Sequence, residues 1–243
     1  MRARCGAKFK IDQMKKIFFA LLIFLQPQLA LAQMTILNVP SADVAPKNRI
    51  FAQHESQFRT KEKGQFVNVT NYLTAGVGSN TELTATYFNL GNLSYNNDTL
   101  ALGFKTALPL EIDEIKAYKP KIIFGSAAAI SVQGNGVGNW TYAATNFTIP
   151  QTQTRLTIGA SRGNKQIFDY EVMALMLGFE QKITNKLSYV GDWYSGKKNA
   201  LGIFASALSY NFENDLVLFV GYQVANSKRT ARNGFIVEVA KLF

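Results

Sequence analysis

The chain has 243 residues, 47% of them hydrophobic, a formal net charge of +10 and one cysteine, Cys5. A lone cysteine excludes a disulfide framework. The charge points to polyanion binding only until its distribution is read. Residues 1–32 hold Arg2, Arg4, Lys8, Lys10, Lys15 and Lys16 against Asp12, so residues 33–243 keep 20 basic and 15 acidic side chains, or +5. Nucleic acid is not an expected partner on that balance.

The first element starts at Met14, with "MKKIFFALLIFLQPQLALAQ". Lys15 and Lys16 precede an apolar run of nine residues, 17–25, and Ala30–Leu31–Ala32 follows. This is the layout of a secretory signal peptide cleaved after Ala32. The run is too short to span a bilayer, which takes about 20 apolar residues. Residues 1–13 lie ahead of a better start at Met14. Cleavage removes Cys5, and with it any thiolate metal site, cysteine nucleophile or lipid-anchoring cysteine. Residues 33–48, "QMTILNVPSADVAPKN", are polar with two prolines. They are expected to form an extended periplasmic lead-in.

From Arg49 onward the pattern changes to segments of about ten residues with period two, each closed by a turn signal. The predicted strands are 49–59, 66–78, 81–90, 98–107, 120–132, 139–148, 152–161, 171–183, 186–195, 199–211, 214–225 and 234–243. Short turns follow segments 2, 6, 8 and 10: "GVGSNTELT", "TIPQT", "QKITNKLS" and "NFENDLVL". Asn80, Asn185 and Asn214 tolerate the left-handed backbone of a two-residue hairpin. Longer, wetter loops follow segments 1, 3, 5, 7, 9 and 11. Only "LPLEIDEIKAYKP", 108–120, breaks the alternation; it suits a short helix and could occlude a lumen. Short turns at one end and long loops at the other predict an all-β fold. The expected form is a closed antiparallel transmembrane up-and-down β-barrel of 12 strands (range 10–14), with the short turns periplasmic.

Alternation within the strands agrees. In 173–180, Met173, Leu175, Leu177 and Phe179 share one face, with Ala174, Met176, Gly178 and Glu180 opposite. Large residues outside and small or polar ones inside invert a soluble core, so the outer face meets lipid. Tyr72, Tyr87, Trp193, Tyr210 and Tyr222 are candidate interfacial girdles. Parity points Arg49, Glu55, Arg59, Glu82, Lys105, Arg155, Glu180, Asp192 and Glu238 inward as pore-lining residues. The long loops carry Lys61, Lys63, Arg162, Lys165, Lys197, Lys198, Lys228, Arg229 and Arg232. These would meet lipopolysaccharide phosphates through charge-assisted hydrogen bonds.

The chain ends "GFIVEVAKLF", with Phe235, Val237, Val239 and Phe243 at even steps on one face. This resembles the C-terminal signal of bacterial outer-membrane barrels, which the barrel-assembly machinery recognises. Lys241 departs from it, since an apolar residue or tyrosine is usual there. With the signal peptide and twelve alternating segments, residues 49–243 resemble that class as architecture. The resemblance implies a Gram-negative outer-membrane location and contact with outer-membrane lipid.

Two motifs stand apart. "GNGVG" at 134–138 is followed by alternation rather than a helix, so it is a loop and no dinucleotide site. "AQHESQF" places His54 and Ser56 on one face of a strand, where they could serve as base and nucleophile. Two outer-membrane esterase families, a phospholipase and a lipid A deacylase, resemble it in carrying His-x-Ser on a barrel strand; no third, orienting residue is identifiable. The leading expectation is a porin-like channel passing small polar solutes, without cofactor or metal. The alternatives are a structural or surface-interaction barrel with an occluded lumen, and an outer-membrane lipid esterase using His54 and Ser56.

Overall fold

Period-two segments become strands wherever both faces find the solvent they suit. The computed structural model describes residues 35–59, 67–89, 98–132, 136–165, 171–198, 201–227 and 233–243; the expected signal peptide and its expected cleavage site lie outside these. The strands are β1 (Ile50–Arg59), β2 (Val67–Gly78), β3 (Thr81–Asn89), β4 (Asp98–Pro109), β5 (Lys121–Ser131) and β6 (Val137–Thr148). They continue with β7 (Arg155–Gly163), β8 (Met173–Lys182), β9 (Leu187–Tyr194), β10 (Ile203–Asn211), β11 (Leu216–Ala225) and β12 (Gly234–Leu242). Every neighbour is antiparallel and consecutive. β1 pairs with β12 from Phe51↔Leu242 to Arg59↔Gly234, closing a 12-stranded barrel.

Each predicted segment meets one strand. β7 starts three residues later than expected because Ile149–Thr154 is a fuller turn. There Gln153 is left-handed (φ 56°), with Gln153 N–H donating to Ile149 O (2.8 Å). Ser79 and Asn80 are both left-handed (φ 50° and 55°), as a two-residue type I′ hairpin requires. In the β10–β11 turn the left-handed pair is Asn214–Asp215 (φ 62° and 59°). The 108–120 connection holds a 3-10 helix, Asp113–Tyr118, with no buried residue. It lies outside the barrel, so the expectation that it occludes the lumen is corrected.

The wall is apolar outside and polar inside. Leu73, Leu102, Leu175, Leu208 and Val220 are each at least half exposed, while Glu82, Lys105, Asp192 and Glu238 are no more than 2% exposed. A face of that kind matches lipid and not water. Aromatic rings mark both ends of the band. Near the long-loop ends lie Phe58, Tyr87, Trp193 and the edge-on pair Tyr222–Phe235, 5.1 Å apart. Near the short-turn ends lie Tyr210–Phe212 (4.7 Å) and Phe179–Tyr189 (5.3 Å). Tyr72 is the exception. It falls between the outward Leu73 and Asn71 and lines the lumen, so its girdle assignment is corrected.

Candidate functional site: the occupied lumen

A run that reads as a polar linker contains three large apolar side chains, Ile36, Leu37 and Val39, and all three are fully buried. Residues 35–46 lie inside the barrel, which corrects the expected periplasmic lead-in. The reason is complementarity. The apolar side chains join one cluster with Met176, Val190 and Phe219 of the inner wall, and the segment's backbone groups meet inward charges. A turn forms first: Ile36 N–H donates to Val39 O (2.7 Å) and Thr35 bridges Pro40. The turn points three successive amides at one carboxylate. Asp192 Oδ2 accepts from the backbone N–H of Leu37 (3.0 Å), Asn38 (2.5 Å) and Val39 (2.7 Å), and Oδ1 accepts from Asn38 Nδ2 (3.2 Å). Successive N–H groups converging in this way make an anion nest.

The next residues meet cations. Lys121 Nζ donates to Ala42 O (3.2 Å) and Lys105 Nζ to Asp43 O (2.5 Å). Lys105 also pairs with Glu82 at 3.1 Å, and Glu82 Oε2 accepts from Ala45 N–H (2.7 Å). Arg155 bridges Asp43 (2.7 Å) and Glu180 (3.2 Å). The exit towards β1 passes close over Gly76, where any side chain would strike the carbonyl oxygens of Ala45 and Pro46. Left-handed Asn48 (φ 63°) then turns the chain into the wall.

Seven of the nine residues assigned inward by parity do point inside, but they meet protein. Glu82, Lys105, Arg155, Glu180 and Asp192 are engaged as above. Glu55 and Glu238 stand directly opposite in register, accepting from Gln57 Nε2 and, at 2.8 Å, from Gln53 Nε2. Arg49 is a correction: it sits at the rim, 41% exposed, paired with Asp215 (3.2 Å), and its Nε donates to Phe243 O. It precedes the first inward strand position, so parity does not govern it. The Arg59 side chain lies outside the described residues. Asp43, Lys121 and the glutamine pairs were missed, because only contact across the lumen singles them out.

Above the segment the lumen keeps a cavity of about 210 Å³, lined by Glu55, Tyr72, Lys105, Trp140, Tyr142 and Tyr194. Its walls come largely from the long-loop halves of the strands. His54 and Ser56 are not part of it. They lie on the outer wall, with His54 Nε2 3.0 Å from Ser56 Oγ and His54 Nδ1 2.8 Å from Asn71 Oδ1 on β2. Of the loop cations, Arg162 belongs to β7 and Lys165, Lys197 and Lys198 are exposed; Lys61, Lys63, Lys228, Arg229 and Arg232 lie outside the described residues.

No protein-family model and no curated protein matches the chain. Solved structures do. The chain is similar to the COG4313 outer membrane channel from Pseudomonas putida F1, with TM-score 0.51 and 10% identity over 84% of this chain and 100% of that one. It is also similar to the Acinetobacter baumannii outer membrane protein Omp33, with TM-score 0.47 and 12% identity over 82% and 100%. A third is the translocator domain of autotransporter NalP from Neisseria meningitidis, with TM-score 0.43 and 13% identity over 98% and 97%. At such identities the likeness to the channel shows a shared fold: this chain is a closed barrel of the kind found among bacterial outer-membrane proteins.

Proposed function

We propose that the chain is a bacterial outer-membrane barrel forming a narrow passage for small polar solutes, held shut by its own residues 35–46. One observation carries this. The segment is bound mainly through wall side chains rather than as a strand of the barrel, and β1–β12 closes without it. It can therefore leave without breaking the wall. Vacating the lumen would leave Glu55, Glu82, Glu180, Asp192 and Glu238 facing Lys105, Lys121 and Arg155. Such a lining conducts passively and favours cations. On this reading the short turns face the periplasm, basic long loops meet lipopolysaccharide, and Phe235, Val237, Val239 and Phe243 are read by the assembly machinery.

A second reading is a barrel permanently filled for rigidity. The burial of Ile36, Leu37 and Val39 in the inner apolar cluster favours it. Planar-bilayer recording separates the two. The chain from residue 33 should conduct rarely, and a variant lacking 35–46 should give sustained cation-selective steps. A variant that folds, shown by a heat-dependent gel shift, yet stays silent would leave only the filled barrel.

A further inference from the structure

We propose that Ser56, His54 and Asn71 form a serine acyl-hydrolase site on the outer wall, acting on the acyl esters of membrane lipid. This site is separate from the lumen and does not depend on whether the barrel conducts.

The geometry is that of a nucleophile, a base and an orienting group. Asn71 Oδ1 can only accept a hydrogen bond. The proton between it and His54 therefore sits on Nδ1, which donates across 2.8 Å. That leaves Nε2 with a lone pair, and the Ser56 hydroxyl donates to it across 3.0 Å. One strand supplies base and nucleophile because residues two apart share a face. The neighbouring strand supplies the third member because His54 and Asn71 are direct register partners. This order of contacts, nucleophile to base to orienter, is the arrangement that activates a serine.

The position selects the substrate. The surrounding outer face is apolar: Leu73, Val239 and Phe235 are exposed beside the three polar groups. Polar side chains on a lipid-facing wall are costly and call for a reason. Phe58, two residues beyond Ser56 and directly opposite Phe235, belongs to the aromatic girdle at the long-loop end. Two residues along a strand tilted by about 40° climb about 5 Å towards the headgroups. Ser56 thus lies one step below the girdle, at the depth where acyl esters join chain to headgroup.

In the reaction, Ser56 Oγ attacks the ester carbonyl carbon while its proton passes to His54 Nε2. Asn71 holds the imidazole and accepts from Nδ1–H throughout. The C–O bond of the ester breaks, and the departing alcohol takes the proton from Nε2. Water, deprotonated by the same nitrogen, then releases the fatty acid and restores Ser56.

The test uses the folded chain from residue 33 with a fluorophosphonate probe, and fatty-acid release from vesicles of phosphatidylethanolamine or of lipopolysaccharide. Ser56 should carry the label. His54→Ala should slow labelling by at least about 100-fold, the loss typical of a missing general base. Asn71→Asp should retain labelling and Asn71→Leu should lose most of it, while the heat-dependent gel shift of both variants stays that of the unaltered barrel, which separates orientation of His54 from a merely structural role. Release abolished by Ser56→Ala supports the proposal, and the vesicle that yields it names the lipid. An unlabelled Ser56 in the unaltered chain, labelling indifferent to His54, or no Ser56-dependent release from either vesicle would overturn it.

Discussion

The segment in the lumen is held on two sides by opposite means. On the β9 side a single carboxylate, Asp192, gathers three consecutive backbone amides. On the β4–β7 side, Lys105, Lys121 and Arg155 reach carbonyls and the carboxylate of Asp43. The first anchor binds mainly backbone, with the Asn38 amide as its one side-chain partner, so most sequences able to turn there would satisfy it. The second recognises one side chain at one place. Asp192 therefore gathers the largest set of converging hydrogen bonds, and Arg155 with Asp43 fixes which residue sits where.

The largest effect should come from Asp192→Ala. It leaves two buried amides and a half-buried one without an acceptor, each buried one costing about 1–3 kcal/mol. We expect the segment to leave its seat, the variant to conduct like the one lacking 35–46, and protease to reach residues 35–46 in detergent. Unchanged protection would show that apolar packing alone holds the segment. Asp43→Ala should act more gently. The Arg155 pair is partly exposed, at 26% and 21%, so screening reduces its worth to about 1 kcal/mol. The expected outcome is more frequent brief openings, with the protease pattern kept. In a double-mutant cycle with Arg155→Met, the two losses should be less than additive. The smallest effect belongs to Gly178→Ala on β8, whose added methyl would press on Ile36 Cδ1, the free end of a flexible side chain. About 1 kcal/mol of overpacking is expected, recovered by Ile36→Val. Failure of that rescue would mean that β8 does not bear on the segment.

The contrast also explains what was legible in the sequence. Strand number, order and turn parity are written locally, as period two and punctuation. Inward acids follow from the same parity, so Asp192 and Glu82 were found. Their partners were not. Asp192 meets Leu37 from 155 residues away, and no periodicity encodes that. Ile36, Leu37 and Val39 were the available signal, since a solvated linker has no use for three large apolar residues. His54 and Ser56 were visible as a spacing, but Asn71 became visible only once β1 and β2 were in register.

The seam between β1 and β12 carries a consequence for the order of assembly. Ile50 and Phe243 exchange backbone hydrogen bonds at 3.2 and 2.7 Å, joining the first strand of the barrel to the last. β1 is synthesised before every other strand and is the last to acquire its second neighbour. Until β12 arrives, Glu55 lacks Glu238 opposite it, and the edge of β1 is an open template. Residues 35–46 lead directly into that edge. In the closed barrel they reach the β4–β7 cations on one side and Asp192 of β9 on the other. Because the occupant and the seam share β1, whatever holds Ile50 against Phe243 also fixes where the occupant enters the lumen.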